Sequence, residues 1–340
     1  KAVDEHQDLM RLSVATAGND HRLGGNEAPP AIFSVFIGSE LEDVLESISS
    51  GKAYTHKNAN KIKLGVESIP VFGGDTADRN RTSPFAFTGN KFEFRMLGSS
   101  INIACPNIIL NTCVADVLDE VCTRLEKSKN IEADVKKIIA ENYSEHKRIV
   151  FNGNNYSREW QEEAKRRGLL NLKTTPEALP NYTRPENVAM FEKHKVYTEQ
   201  ELKARQEILL ENYCKIINIE ALTMLSMVTK EILPACFKYE NELADTAAKK
   251  TALKIGAATE TEILTRISAL TDAAYKSKTK LEEAIVAAKA VTPVTDAAKF
   301  YQENVFMSMQ ELRTSCDELE TLVSKKLWPF PTYSDILFSI

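Results

Sequence analysis

Apolar residues recur at helical spacing through residues 2–16, with Leu9, Met10, Leu12 and Val14 among them, and predict a helix that ends at Gly18. The run Asn19–Pro30 is rich in turn formers and predicts a loop. Ala31–Ile37 is apolar almost throughout and predicts a buried strand, followed by a short helix over 39–49 with Ser39 as its N-cap. Residues 50–78 show no clear period. Then Lys91-Phe-Glu-Phe-Arg-Met96 alternates strictly. In a strand successive side chains point to opposite faces, so Lys91, Glu93 and Arg95 share one face and Phe92, Phe94 and Met96 the other. Ser99–Lys127 is apolar nearly all round in its first half (Ile101, Ile103, Ala104, Ile108, Ile109, Leu110) and predicts a buried helix, with Pro106 tolerated in the first turn.

Composition shifts at about residue 150 and divides the chain into 1–150 and 151–340. Tyr156–Gly168 reads as a capped surface helix ending at a Gly, and a connector over about 169–197 carries Pro176, Pro180 and Pro185. From Thr198 to 327 the pattern is almost wholly helical, opening on a Thr198-Glu-Gln-Glu201 capping box. Two stripes follow a 4–3 spacing: Ile263, Ile267, Leu270, Ala274, Leu281, Ala284 and Ala288, then Val305, Met309, Leu312, Cys316, Leu319 and Val323. Thr292-Pro293 separates them, which predicts an antiparallel helical hairpin in a structural bundle.

At 340 residues, with 43% hydrophobic and 27% charged positions, the chain fits one large or two medium globular domains. A net charge of −5 and a pI near 5.8 argue against a general nucleic-acid binder. No apolar run is long enough to cross a bilayer. The start, Lys1-Ala-Val-Asp-Glu-His-Gln, lacks both a signal-peptide pattern and an initiator Met, which predicts a fragment of a longer chain. None of the six cysteines forms a Cys-x-x-Cys pair, so buried free thiols in a reducing compartment are expected. The five histidines are scattered, so a metal here would be a hard cation on oxygen ligands.

Candidate chemistry gathers in two places. In Asn19–Pro30, Arg22 stands beside Gly24 and Gly25, and Glu27 precedes Ala-Pro-Pro, which stiffens the exit. A cation for a carboxylate ligand and an anion for an ammonium-like group would sit side by side; a solvated turn with an incidental ion pair has the same composition. In Arg79–Arg95, Arg79 and Arg81 occupy a turn-rich loop suited to phosphate oxygens. Glu93 is a natural hard-metal ligand, and Arg95 on the same face could clamp a carboxylate. A charged sheet face with cross-strand ion pairs is the plainer alternative, although exposed pairs add only about 0–1 kcal/mol each.

Gly18-Asn-Asp-His-Arg-Leu-Gly-Gly-Asn-Glu-Ala-Pro-Pro30 and Arg79-Asn-Arg-Thr-Ser-Pro-Phe-Ala-Phe-Thr-Gly-Asn-Lys-Phe-Glu-Phe-Arg95 resemble the type III glutamine synthetases. The resemblance continues through Gly153-Asn-Asn-Tyr-Ser-Arg-Glu-Trp160, Ala164–Gly168, Pro176–Leu179 and Leu327–Tyr333, while residues from about 240 to 300 match only in helical character. It implies an α+β fold: residues 1–150 as the C-terminal part of the catalytic α/β barrel, then a mainly helical extension over 151–340. It implies ATP-dependent ligation of ammonia to L-glutamate through γ-glutamyl phosphate, with Mg²⁺ or Mn²⁺ required, in a cytoplasmic homododecamer of two stacked hexameric rings. Neither nucleic acid nor membrane would be a partner.

Carried over residue by residue, Arg22 would bind glutamate. Glu27 would help bind ammonium and guard the acyl phosphate. Arg81 would contact the transferring phosphate, joined by Arg79. Lys91 would aid nucleotide binding, Glu93 would ligate metal, and Arg95 would hold the substrate carboxylate. Against the type I pattern, the Arg-to-Glu spacing of the first loop is one residue shorter, residues 34–78 form an insertion, and Phe85-Ala86-Phe87 replaces a further Arg. The family's N-terminal half, with most metal-binding glutamates, is missing from these residues, so the fragment alone is expected to be inactive. Two other readings stay open: another ATP-dependent carboxylate–amine ligase of the same fold, or a non-catalytic assembly fragment.

Overall fold

The computed structural model describes residues 1–25, 27–54 and 83–338, and the backbone alone at 61–62 and 72–73. The described residues are mostly helical, with a small sheet. The chain divides into two compact units, Lys1–Leu209 and Leu210–Ile340.

The helix expected over 2–16 is broken. Helix α1 (Ala2–Glu5) stops at His6, whose φ of −117° and ψ of 36° leave the helical well, and α2 (Gln7–Leu12) resumes. The chain then extends at Thr16 (φ −148°, ψ 153°), whose side chain accepts from Asn19 N and caps α3 (Ala17–Arg22). Gly18 therefore lies inside a helix rather than at the end of one. Leu9, Met10 and Val14 are fully buried, as their spacing implies.

Of the strand expected over 31–37, only Val35–Phe36 (β1) pairs regularly, although Ala31, Ile32, Phe33 and Ser34 are all buried. Helix α4 (Ser39–Ser50) follows; its N-cap is Gly38 rather than Ser39, and Gly38 has no side chain to cap with. Strands β2 (Lys61–Ile62) and β3 (Phe72–Gly73) pair antiparallel; the rest of 55–82, including Arg79 and Arg81, lies outside the described residues. Strands β4 (Phe85–Phe87) and β5 (Phe92–Phe94) form a hairpin in which β4 also pairs in parallel with β1. The expected alternation is present. Phe85 and Phe87 stack against Phe92 and Phe94 on one face, with ring centroids 5.2–5.9 Å apart, while Glu93 sits opposite the fully buried Ala86 on the other.

Helix α5 spans Ala104–Leu125, and Pro106 is accommodated in its first turn as expected. It is not buried all round. Ile109, Thr112 and Cys113 face the core, but Ile103 and Leu118 are more than half exposed. The packing partners, α1, α2, α6 (Ile131–His146) and α9 (Pro185–Lys193), leave the other side uncovered among the described residues.

The break expected at 150 is not a packing boundary. Arg11 donates from Nε to the Leu172 carbonyl at 2.7 Å, Leu170 N donates to Gln7 at 3.0 Å, and Asp8 accepts from Asn187 at 2.9 Å. Helix α7 (Arg158–Arg166), capped by Ser157, buries Trp160 and Ala164 against this unit and exposes most other positions. The composition shift reports surface helices, not the end of a core. Helix α8 (Thr175–Ala178) also belongs to this unit.

The unit boundary falls inside α10 (Glu199–Met227), which opens on the expected Thr198–Glu201 capping box. In the second unit, a wider turn over Val228–Ile232 precedes α11 (Leu233–Ala252). It relieves the clash that the Pro234 ring would make with the carbonyl four residues back. Helices α12 (Ala258–Ala288) and α14 (Met307–Leu322) pack on each other, joined through α13 (Val294–Phe300). Arg266 meets Glu318 and Lys280 meets Glu311, which makes the pair antiparallel. All six stripe positions, Val305, Met309, Leu312, Cys316, Leu319 and Val323, are buried. Helix α15 (Tyr333–Leu337) lies near the C-terminal end of the described residues. No described helix is long and apolar enough to cross a membrane.

Candidate functional site

Arg22 stands in the last turn of α3, not in a loop. Its Nε donates to Asn19 Oδ1 at 3.0 Å and its Nη2 to the Met96 carbonyl at 2.6 Å. Asn19, 2% exposed, donates from Nδ2 to that same carbonyl at 3.1 Å and to the Val14 carbonyl at 2.9 Å. Two donors from one helix thus converge on the residue that follows Arg95. This contact carries Arg22 to the C-terminal end of β5.

A tight loop follows α3. Gly24 N donates to the Ala28 and Pro29 carbonyls at 3.2 and 3.1 Å, closing the turn with φ of 78° at Gly24, where a side chain would be strained. Glu27 is exposed in this loop. Its carbonyl accepts from the Tyr156 hydroxyl at 3.2 Å, and its carboxylate has no ion pair or hydrogen bond among the described residues.

On the hairpin, Arg95 donates from Nε and Nη2 to Glu93 Oε2 at 3.1 and 3.0 Å, and Lys91 Nζ lies 3.7 Å from Oε1. Arg95 is mostly buried, at 13% side-chain exposure, whereas Glu93 and Lys91 are open to solvent at 39% and 66%. The structure therefore gathers Arg22, Lys91, Glu93 and Arg95 at and beside β5. It records no contact from the Glu27 side chain to them, and Arg79 and Arg81 lie outside the described residues. A cavity of about 520 Å³ in the first unit, lined by Asp8, Asp116, Arg184 and Lys193 among others, includes none of these residues.

Among the described residues no three His, Cys, Asp or Glu side chains come together as a metal-holding group. Glu93 is one carboxylate, already shared by two cations, whereas Mg²⁺ and Ca²⁺-like ions need several oxygens. The described set does not by itself fit the ion.

Residues without a role in the motif reading support the site from behind. Asn152 Oδ1 accepts from Ile37 N at 3.0 Å and Gly38 N at 2.9 Å, and so caps α4 from a distant part of the chain. Ser34 donates to Asn155 at 2.6 Å. Arg11, 1% exposed, pairs with Asp20 of α3 at 2.6 Å, and Thr175 N donates to the other Asp20 oxygen at 2.6 Å. Burial pushes the Asp20 carboxyl above its ordinary value, and the Arg11 guanidinium offsets only part of that. Hydrogen bonds across such separations leave no periodicity in the sequence. The only available signal was that Asn152, Asn155 and Tyr156 lie in or beside one motif.

Comparison with known proteins gives a consistent result. A family model described as glutamine synthetase C-terminal domain matches residues 134–251. A glutamine synthetase of Butyrivibrio fibrisolvens is 42% identical over 100% of this chain and 49% of its own length. The type-3 glutamine synthetase of Dictyostelium discoideum is 40% identical over 99% of this chain and 47% of its own. A glutamine synthetase of Bacteroides fragilis is 36% identical over 99% and 48%. The chain thus spans about half the length of the curated relatives it matches. With identity at that level along the whole of its sequence, the chain belongs to the glutamine synthetase family.

Proposed function

We propose that this chain supplies part of the active site of a type III glutamate–ammonia ligase. What carries the reading is the convergence of Arg22, Glu93 and Arg95 at the end of β5, in a chain whose relatives named glutamine synthetase match it from end to end. In this reading residues 1–150 are the C-terminal part of a catalytic α/β barrel, and residues 151–340 are a mainly helical extension. The complete protein is a cytoplasmic ammonia-assimilating enzyme assembled as two hexameric rings.

Arg22 and Arg95 hold the two ends of glutamate as planar, bidentate carboxylate ligands. A γ-carboxylate oxygen of glutamate attacks the γ-phosphorus of ATP, and ADP leaves. Ammonium is drawn to Glu27, whose free carboxylate takes a proton. The nitrogen lone pair then attacks the acyl carbon, phosphate departs with the bonding pair, and the phosphate takes the second proton that the nitrogen sheds. Lys91, with Arg79 and Arg81 in the segment before the hairpin, neutralises phosphate charge; phosphoryl transfer is chiefly positioning and charge stabilisation. Glu93 would provide one oxygen for Mg²⁺ or Mn²⁺. The described residues do not complete that site, and no step here is routed through it.

The test is Arg95→Ala in the full-length enzyme, assayed for glutamine formation. Loss of a preorganised donor lowers turnover by about 10²–10³-fold. Wild-type kinetics would overturn the assignment. Glu93→Ala in parallel should shift the metal titration; an unchanged titration makes Glu93 structural.

A further inference from the structure

We infer that Asn19 is a positioning residue that sets the aim of Arg22, an inference that rests on Arg22 being a glutamate ligand. A guanidinium on an arginine side chain is free to rotate and swing unless its nitrogens are held. Here two of three are held: Nε by Asn19 Oδ1 at 3.0 Å and Nη2 by the Met96 carbonyl at 2.6 Å. Nη1 has no partner among the described residues. Nη1 and the second hydrogen of Nη2 remain for a ligand, and together they have the spacing a carboxylate accepts bidentately.

Asn19 is suited to this by being fixed itself. It is 2% exposed, its backbone N–H donates to Thr16 Oγ1 at 3.2 Å, and its Nδ2 is shared between the Val14 and Met96 carbonyls. The Met96 carbonyl receives both Asn19 and Arg22, so the same small amide also fixes the distance between Arg22 and the strand bearing Glu93 and Arg95. A side chain that only filled space would need neither the acceptor toward Arg22 nor the donor toward the strand.

Steady-state kinetics of the full-length enzyme separates the possibilities. Asn19→Ala removes both functions and should raise the glutamate KM at least about tenfold, with the ATP KM changed by less than about twofold. Asn19→Asp keeps the oxygen facing Arg22 Nε but turns the donor into an acceptor against two carbonyls. It should melt at lower temperature yet keep a glutamate KM within about threefold of wild type. Equal rises in both KM values for Asn19→Ala, or a glutamate KM in Asn19→Asp as poor as in Asn19→Ala, would overturn the inference. If Asn19→Ala does not fold, a glutamate KM in Asn19→Asp raised about tenfold or more over wild type overturns the inference. Arg22→Ala is the control: no change in its glutamate KM removes the reading of Arg22 and this inference with it. A raised KM in Arg22→Ala beside a normal one in Asn19→Ala removes only the inference.

Discussion

Replacing Asn152 with Ala removes one oxygen that serves two backbone donors. Ile37 N and Gly38 N reach it at 3.0 and 2.9 Å, at the entrance of α4, whose own N-cap, Gly38, has no side chain. A helix leaves its first N–H groups unpaired, and deleting a cap costs about 0.5–2 kcal/mol. Two hydrogen bonds at about 0.5–1.5 kcal/mol each give the same scale, so the loss should be about 2 kcal/mol. A local opening easier by that amount exchanges about 30-fold faster. Hydrogen exchange read by mass spectrometry on a peptide covering residues 35–42 measures it directly. Asn152→Asp keeps the acceptor but sets a second carboxylate against Glu42, which now accepts from Asn152 Nδ2 at 2.6 Å. Combining it with Glu42→Gln should return exchange to within about threefold of wild type. Unchanged exchange in Asn152→Ala would refute the reasoning, and with it the claim that the segment after 150 holds the first unit together.

In the second unit, Leu312→Ala at a fully buried stripe position should cost about 2–5 kcal/mol in chemical denaturation; a loss under about 1 kcal/mol would mean that the α12–α14 seam is loosely packed. Cys122, the exposed thiol, should react with a maleimide first, while Cys236 and Cys316, pushed up to about 11 by burial, react only on unfolding; equal rates would contradict their burial. Burial alone would raise Asp116, but hydrogen bonds from Lys193 and His194, each at 2.8 Å, hold its carboxyl below the ordinary 3.8. Stability from this cluster is therefore complete above about pH 4 and lost as pH falls through the lowered value, so Asp116→Asn should flatten the acid limb of an unfolding titration below pH 4.

The parts of this molecule that were legible in sequence are those set by a repeat. The α14 stripe was readable because each buried position recurs every three or four residues, and the β5 alternation because side chains change faces at each step. Helix α3 was missed because Gly18 reads as a terminator, whereas Thr16 three positions before Asn19 starts a new helix. The overstated burial of α5 came from composition, which reports how apolar a helix is but not which face meets a neighbour. In the site, the charged residues announced themselves, while the neutral amides that orient them did not. Gly153 illustrates the same limit. A Cβ there would come within 2.5 Å of the Phe151 ring, which stacks on Trp160 at 3.8 Å, and no local pattern marks that crowding.

The remote cap on α4 also has a consequence for synthesis. Its donors and acceptor are 115 and 114 positions apart. At about 5–20 residues per second, a ribosome needs about 6–23 s to cover that distance. Throughout this interval the residues that lead into α4 lack this acceptor, and the Glu27 loop lacks its Tyr156 tether. Asn152, Asn155 and Tyr156 then leave the ribosome almost together and close both. A translational pause before Asn152 has cleared the exit tunnel would lengthen the vulnerable period, and a pause after Tyr156 has emerged would not.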